Sequence, residues 1–124
     1  MVSLSDGEWK LMNQLWRESP RTITELVAQL REETGWSKHT VISMLSRLEA
    51  KGAVRHEEGA RAKQFYPAID PEDTRSRETR SFLQRLYQGS LGLMVNTLVR
   101  ENELSQEEIE ELRAILKKAE EEKK

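Results

Sequence analysis

The chain contains no cysteine, which excludes a disulfide framework and any thiolate metal site. It has no apolar run long enough to cross a bilayer. Its opening residues, MVSLSDGEWK, lack the apolar segment of a secretory signal. The expectation is therefore an intracellular, cytoplasmic protein with no membrane insertion. Histidine is nearly absent too: His39 and His56 are the only two, too few for a metal centre without cysteine, so no metal and no cofactor are expected. The signatures of common catalytic machinery are missing as well. There is no G-x-S-x-G elbow, no P-loop and no dinucleotide fingerprint. The glutamates at 107–111 and 120–122 read as solvated helix surface. Nothing here points to an enzyme.

What remains is 124 residues, 36% hydrophobic and 34% charged. That suits one small domain, or a small domain with an oligomerisation arm. The net charge of −2 is unevenly spread. Residues 1–69 hold ten Lys/Arg against nine Asp/Glu, and residues 70–124 hold ten against thirteen. Within 37–63, Lys38, Arg47, Lys51, Arg55, Arg61 and Lys63 face only Glu49, Glu57 and Glu58. A basic patch on an acidic chain suits a partner carrying phosphate.

Periodicity divides the chain into helices and one hairpin. Ser5 and Glu8 make a capping-box pattern ahead of Trp9, Met12, Leu15 and Trp16. Ser19-Pro20 stops that helix. Thr22 and Glu25 repeat the pattern before the stripe Ile23, Leu26, Val27 and Leu30, and Gly35 ends it. A residue or two near Thr22 could pair with the later hairpin. Ser37 caps a third helix in which Val41, Met44, Leu45 and Leu48 share one face. His39, Ser43, Ser46 and Arg47 lie opposite, with Thr40 near the edge. After Gly52, the runs Val54 to Glu58 and Lys63 to Ile69 read as strands around a turn at Gly59-Ala60-Arg61. The tryptophans Trp9, Trp16 and Trp36 sit beside apolar positions and read as core.

Asp70-Pro71 opens a helix with Phe82, Leu83, Leu86 and Tyr87 as its stripe, broken near Gly89-Ser90. Leu91, Met94, Val95 and Leu98 follow on a fifth helix. Ser105 and Glu108 form a third capping box before Ile109, Leu112, Leu116 and Ala119. These three helices each carry an apolar stripe without an obvious partner in the chain. Burial against a second copy is the economical solution; packing back on the first domain is the alternative. The fold class expected is mainly α with a small β-wing: a winged helix-turn-helix over 1–70 and a helical dimerisation region over 71–124. The dimer contacts fall on Phe82, Leu86, Tyr87, Leu91, Met94, Val95, Leu98, Ile109, Leu112 and Leu116.

The third helix and hairpin carry chemistry that suits DNA. Arginine donates two hydrogen bonds to guanine, and short hydroxyl side chains reach bases or phosphates. Arg47, Ser43, Thr40 and His39 fit those needs. The helix start at Ser37 and Lys38 offers unpaired N–H groups to an anion, and Arg61 and Lys63 on the wing suit the backbone or minor groove. Two other readings stay open from the residues alone: a winged-helix module that binds protein, and an effector-binding regulator with a pocket at a dimer interface.

The chain resembles the BlaI/MecI/CopY family of bacterial transcriptional repressors, the penicillinase-repressor type, over about residues 4–118. The resemblance rests on LSDGEWKLMNQLW, WSKHTVISMLSRLEAKG, QFYPAID, FLQRLYQGSLGLMV and LSQEEIEEL. It implies a homodimer that binds an inverted-repeat operator in double-stranded DNA and blocks transcription. It also implies Thr40, Ser43 and Arg47 at DNA-contacting positions; His39 stands where some members carry Lys. One branch of that family is cleaved at an Asn-Phe bond after signalling by a membrane sensor metalloprotease. The matching bond here is Thr97-Leu98, with Asn96 one residue early. The copper-sensing branch uses Cys-x-Cys pairs, which this chain lacks.

Overall fold

A computed structural model describes residues 2–123. Among them, the elements are α1 (Asp6–Arg17), α2 (Ile23–Thr34), α3 (Lys38–Ala50), β1 (Val54–Glu58), β2 (Lys63–Pro67), α4 (Pro71–Tyr87), α5 (Leu91–Arg100) and α6 (Gln106–Glu122). The chain forms two compact units, Met1–Glu78 and Thr79–Lys124. The result is mainly α with a two-stranded antiparallel wing, as the periodicity predicts.

Helix starts follow local chemistry. Full capping boxes form at Ser5/Glu8, Thr22/Glu25 and Ser105/Glu108, so two orphan N–H groups are satisfied reciprocally at each. Ser37 accepts from the Thr40 N–H, Ser90 from the Leu93 N–H, and Asp70 from the Asp73 N–H. Helix α3 ends on Gly52 at φ +84. That left-handed residue lets the Ala53 N–H reach back to the Leu48 carbonyl at 2.8 Å, which turns the chain into β1.

The core of the first unit joins Leu11, Met12 and Leu15 of α1, Leu26 and Leu30 of α2, and Val41, Met44, Leu45 and Leu48 of α3. Val54 and Phe65 close it from the wing. Each such buried side chain contributes roughly 1.5–3 kcal/mol of transfer free energy. Trp9, Trp16 and Trp36 pack partly buried against this cluster. Trp16 also donates its indole N–H to the Ile69 carbonyl at 3.0 Å.

The wing pairs Val54 with Pro67 through Glu58 with Lys63. The second strand is shorter than expected, ending at Pro67 rather than Ile69, with one further backbone bond beyond it, from the Ala68 N–H to the Ala53 carbonyl at 2.8 Å. The third pairing expected near Thr22 falls one residue earlier: Arg21 and Phe65 exchange both backbone hydrogen bonds, at 2.9 and 3.1 Å. At the tip, Gly59 donates to the Ala62 carbonyl at 3.0 Å.

In the second unit, α5 and α6 line a shared groove of about 810 Å³ with Leu91, Met94, Val95, Leu98, Ile109, Leu112 and Leu116. The Phe82 and Tyr87 rings on α4 meet at a tilt, their centres 6.3 Å apart. Among the described residues, every exposed large hydrophobic side chain except Ile42 lies between Phe82 and Leu116. Leu93, Val99 and Ile115 belong to that set and widen the apolar surface beyond the expected stripe.

Candidate nucleic-acid interface

Helix α3 is divided along its length. Val41, Met44, Leu45 and Leu48 are buried, while Lys38, His39, Ser43, Ser46 and Arg47 are exposed. This division fixes which side chains a groove-sized partner can meet: the buried stripe anchors the helix to α2 and the wing, and the opposite face stays free. His39, Ser43 and Arg47 sit at i, i+4 and i+8 and so share one face.

Ser37 and Thr40 play a more local part. The Ser37 hydroxyl accepts the Thr40 N–H at 3.2 Å and lies 3.1 Å from the Thr40 hydroxyl. Thr40 is half-buried. Its hydroxyl therefore shares its hydrogen-bonding capacity between the helix cap and any outside partner. Arg61 lies in the turn between the strands, and Lys63 is the first residue of β2; both are exposed.

A groove of about 500 Å³ separates α3 from the wing. Ile23, Leu45 and Phe65 make its apolar floor, with Ile42, Glu49, His56 and Lys63 among the other lining residues. His56 Nδ1 is 2.7 Å from Glu49 Oε1. Glu49, His56 and the exposed Ile42 are functional candidates that the sequence reading did not single out. The helical period places Ile42 and Glu49 on the groove flank of α3, which was the available signal. The pairing of Glu49 with His56 required the wing's fold.

On its other face the wing is charged and aromatic. The Arg55 guanidinium lies 4.1 Å from the centre of the Tyr66 ring and 3.0 Å from Glu57. At the base of α3, Lys51 bonds Glu8 Oε1 at 2.7 Å and the Ser3 carbonyl at 2.9 Å. Burial works to raise the Glu8 carboxyl, and the Lys51 ammonium and Ser5 N–H outweigh it, holding Glu8 below the usual carboxylate range. The Thr22 N–H and hydroxyl likewise lower Glu25. Among the described residues, no group of three or more His, Asp or Glu side chains could hold a metal ion, and no helix is long and apolar enough to cross a membrane.

Comparison with known proteins bears on this geometry. The family model described as penicillinase repressor matches residues 4–118. The penicillinase repressor of Bacillus licheniformis is 36% identical over 121 residues, covering 98% of this chain and 94% of that protein. The methicillin resistance regulatory protein MecI of Staphylococcus aureus (strain N315) is 29% identical over 115 residues, covering 93% and 94%. Among solved structures, the monomeric form of Bacillus licheniformis BlaI in complex with the blaP half-operator aligns with a TM-score of 0.52 and 33% identity. It covers 58% of this chain and 88% of that one. The wild-type apo MarR of Escherichia coli aligns over 94% of this chain and 78% of its own, with a TM-score of 0.55 and 18% identity. That likeness is one of fold.

Proposed function

The chain belongs to the penicillinase repressor family, and from that premise we propose that it is a DNA-binding transcriptional repressor acting as a homodimer on an inverted-repeat operator. The observation that carries this reading is the division of α3, with an apolar face locked into the core and His39, Ser43 and Arg47 presented outward. A related repressor, Bacillus licheniformis BlaI, has been solved on its half-operator, which supports operator DNA as the partner here.

In this reading residues 1–70 read DNA and residues 71–124 join two copies. Helix α3 enters the major groove, where Arg47 and Ser43 offer hydrogen bonds to base edges, and His39 and Lys38 meet the groove wall. The N-terminus of α3, at Ser37, faces a phosphate with its unpaired N–H groups. Arg61 and Lys63 lie along the backbone from the wing. Phe82, Leu86 and Tyr87 of α4, with the α5–α6 groove, bury against their counterparts in the second copy. Repression is occlusion: the bound dimer excludes polymerase, and no bond is made or broken.

A membrane sensor metalloprotease is a candidate upstream partner. The bond that matches the family's cleavage position, Thr97-Leu98 in place of Asn-Phe, lies inside α5, where the Thr97 hydroxyl donates to the Leu93 carbonyl at 3.0 Å. Cleavage there requires the helix to open locally first.

Selection of bound sequences from random DNA tests the reading. Enrichment of an inverted repeat, with half-sites spaced near one helical turn or a multiple, is the expected result. No enrichment would point instead to a winged module that binds protein.

A further inference from the structure

Glu49 and His56 form a side-chain bridge between the recognition helix and the wing. Glu49 sits in the last turn of α3, and His56 is the middle residue of β1. Their contact, Nδ1 to Oε1, is 2.7 Å. Among the described residues, no other side-chain hydrogen bond or ion pair joins α3 to either wing strand. Directly across the ladder from His56 is Phe65, whose ring lies 5.5 Å from the imidazole. Phe65 in turn exchanges both backbone hydrogen bonds with Arg21. The middle of the wing is thus held on two sides, by backbone toward α2 and by the Glu49–His56 contact toward α3.

Lys63, the first residue of β2, lines the same groove as the pair. The charged groups around His56 are Glu49 from α3, Glu58 of its own strand at 3.8 Å, and Lys63 from β2; α2 contributes only Ile23. We propose that the Glu49–His56 pair is a positioning contact. It sets the spacing between α3 and the wing, so that Lys63 reaches the DNA backbone while α3 occupies the groove. This rests on the repressor reading above and adds to it residues that do not touch DNA themselves.

The sign of one substitution separates this role from simple electrostatics. Glu49→Gln removes a negative charge near the DNA, which by long-range attraction alone should tighten binding. A positioning role requires the opposite. The experiment measures affinity for the selected operator against salt concentration, using the full chain. The variants are Glu49→Gln, His56→Gln, Lys63→Ala, the double variant His56→Gln with Lys63→Ala, and the exchange Glu49→His with His56→Glu.

Lys63→Ala is expected to flatten the salt slope by about one phosphate contact. Glu49→Gln and His56→Gln should each do the same, with a loss of about three- to tenfold in affinity at low salt. The double variant should lose no more than Lys63→Ala alone, and the exchange should restore both affinity and slope. Tighter binding by Glu49→Gln, additive losses in the double variant, or a wild-type slope in His56→Gln would each overturn the proposal. Failure of the wild-type chain to bind any selected DNA would overturn the repressor reading and the positioning role with it. The Glu49 side chain is 40% exposed against 26% for His56, so Glu49→Gln keeps the test informative even if His56→Gln weakens the fold.

Discussion

Lys51 and Glu8 meet at 2.7 Å across the bottom of the first unit, the carboxylate side chain 4% exposed and the lysine 38%. Glu8 has two tasks there. It closes the capping box of α1 through the Ser5 N–H, and it receives the ammonium that follows α3. Lys51 in turn holds the Ser3 carbonyl at 2.9 Å. One ion pair thus fixes the N-terminal segment, the start of α1 and the end of α3 against one another.

That pair should make the fold acid-sensitive. The Glu8 carboxyl is depressed in the folded state, so its contribution is fully present above the unfolded value of 4.5. It is lost as pH falls below that value and through the lower, folded one. Urea unfolding at pH 6 and pH 3 should show a larger loss for the wild type than for Glu8→Gln. Lys51→Met, which leaves the buried carboxylate without its cation, should cost about 1–3 kcal/mol at neutral pH. An identical pH response in wild type and Glu8→Gln would remove Glu8 from the account.

Gly59 should be intolerant of a side chain for steric reasons. A Cβ there would stand 2.3 Å from the Ala62 carbonyl oxygen, the same oxygen that accepts the Gly59 N–H. Gly59→Ala must therefore shift the turn, at a cost of about 1–3 kcal/mol local to the wing. Amide exchange is the suitable measurement. Protection should fall along β1 and β2 and persist in α1 to α3. Unchanged protection in the wing would show that the turn accommodates the methyl.

Arg47→Ala should cost on the order of 1–3 kcal/mol in operator binding if the guanidinium reads a base. The loss should then be specific to one position of the half-site. An equal loss on all sequences would assign Arg47 to phosphate.

The apolar surface of the second unit predicts the oligomeric state. Leu98→Glu or Leu116→Glu, each placing a charge in the α5–α6 groove, should yield monomers by sedimentation. Half-operator binding should survive, and the tight binding to the full inverted repeat should be lost. A stable dimer in both variants would place the interface elsewhere.

Most of the fold was legible because its boundaries are local events. A serine or threonine with a glutamate three residues on, or a glycine after a stripe, carries its structural meaning within one helical turn. Ser5, Thr22, Ser37, Asp70 and Ser105 all cap where the sequence predicts. Helix α3 was legible for the same reason, since a single period assigns Val41, Met44, Leu45 and Leu48 to the interior. What stayed hidden depends on residues far apart in the chain. The contacts of Lys51 with Glu8 and Arg21 with Phe65 each span more than forty residues, and no periodicity encodes them. Glu49 and His56 are only seven apart, but the end of α3 and the turn into β1 lie between them. Thr74, fully buried on α4, escaped notice because its hydroxyl is satisfied by the Asp70 carbonyl at 2.8 Å, leaving only its methyl to count as apolar. In the second unit Leu93, Val99 and Ile115 broaden the apolar surface beyond narrow stripes, because a strict seam underestimates what two short helices expose together.

If the leucines left outside on α5 and α6 join two copies as proposed, copy number becomes a control variable. When two chains must meet before either half-site is held firmly, operator occupancy at low abundance rises with the square of chain concentration rather than in proportion to it. A twofold fall in the amount of protein then costs about fourfold in bound dimer. Dilution by growth, or slower synthesis, would open the promoter sharply without any ligand.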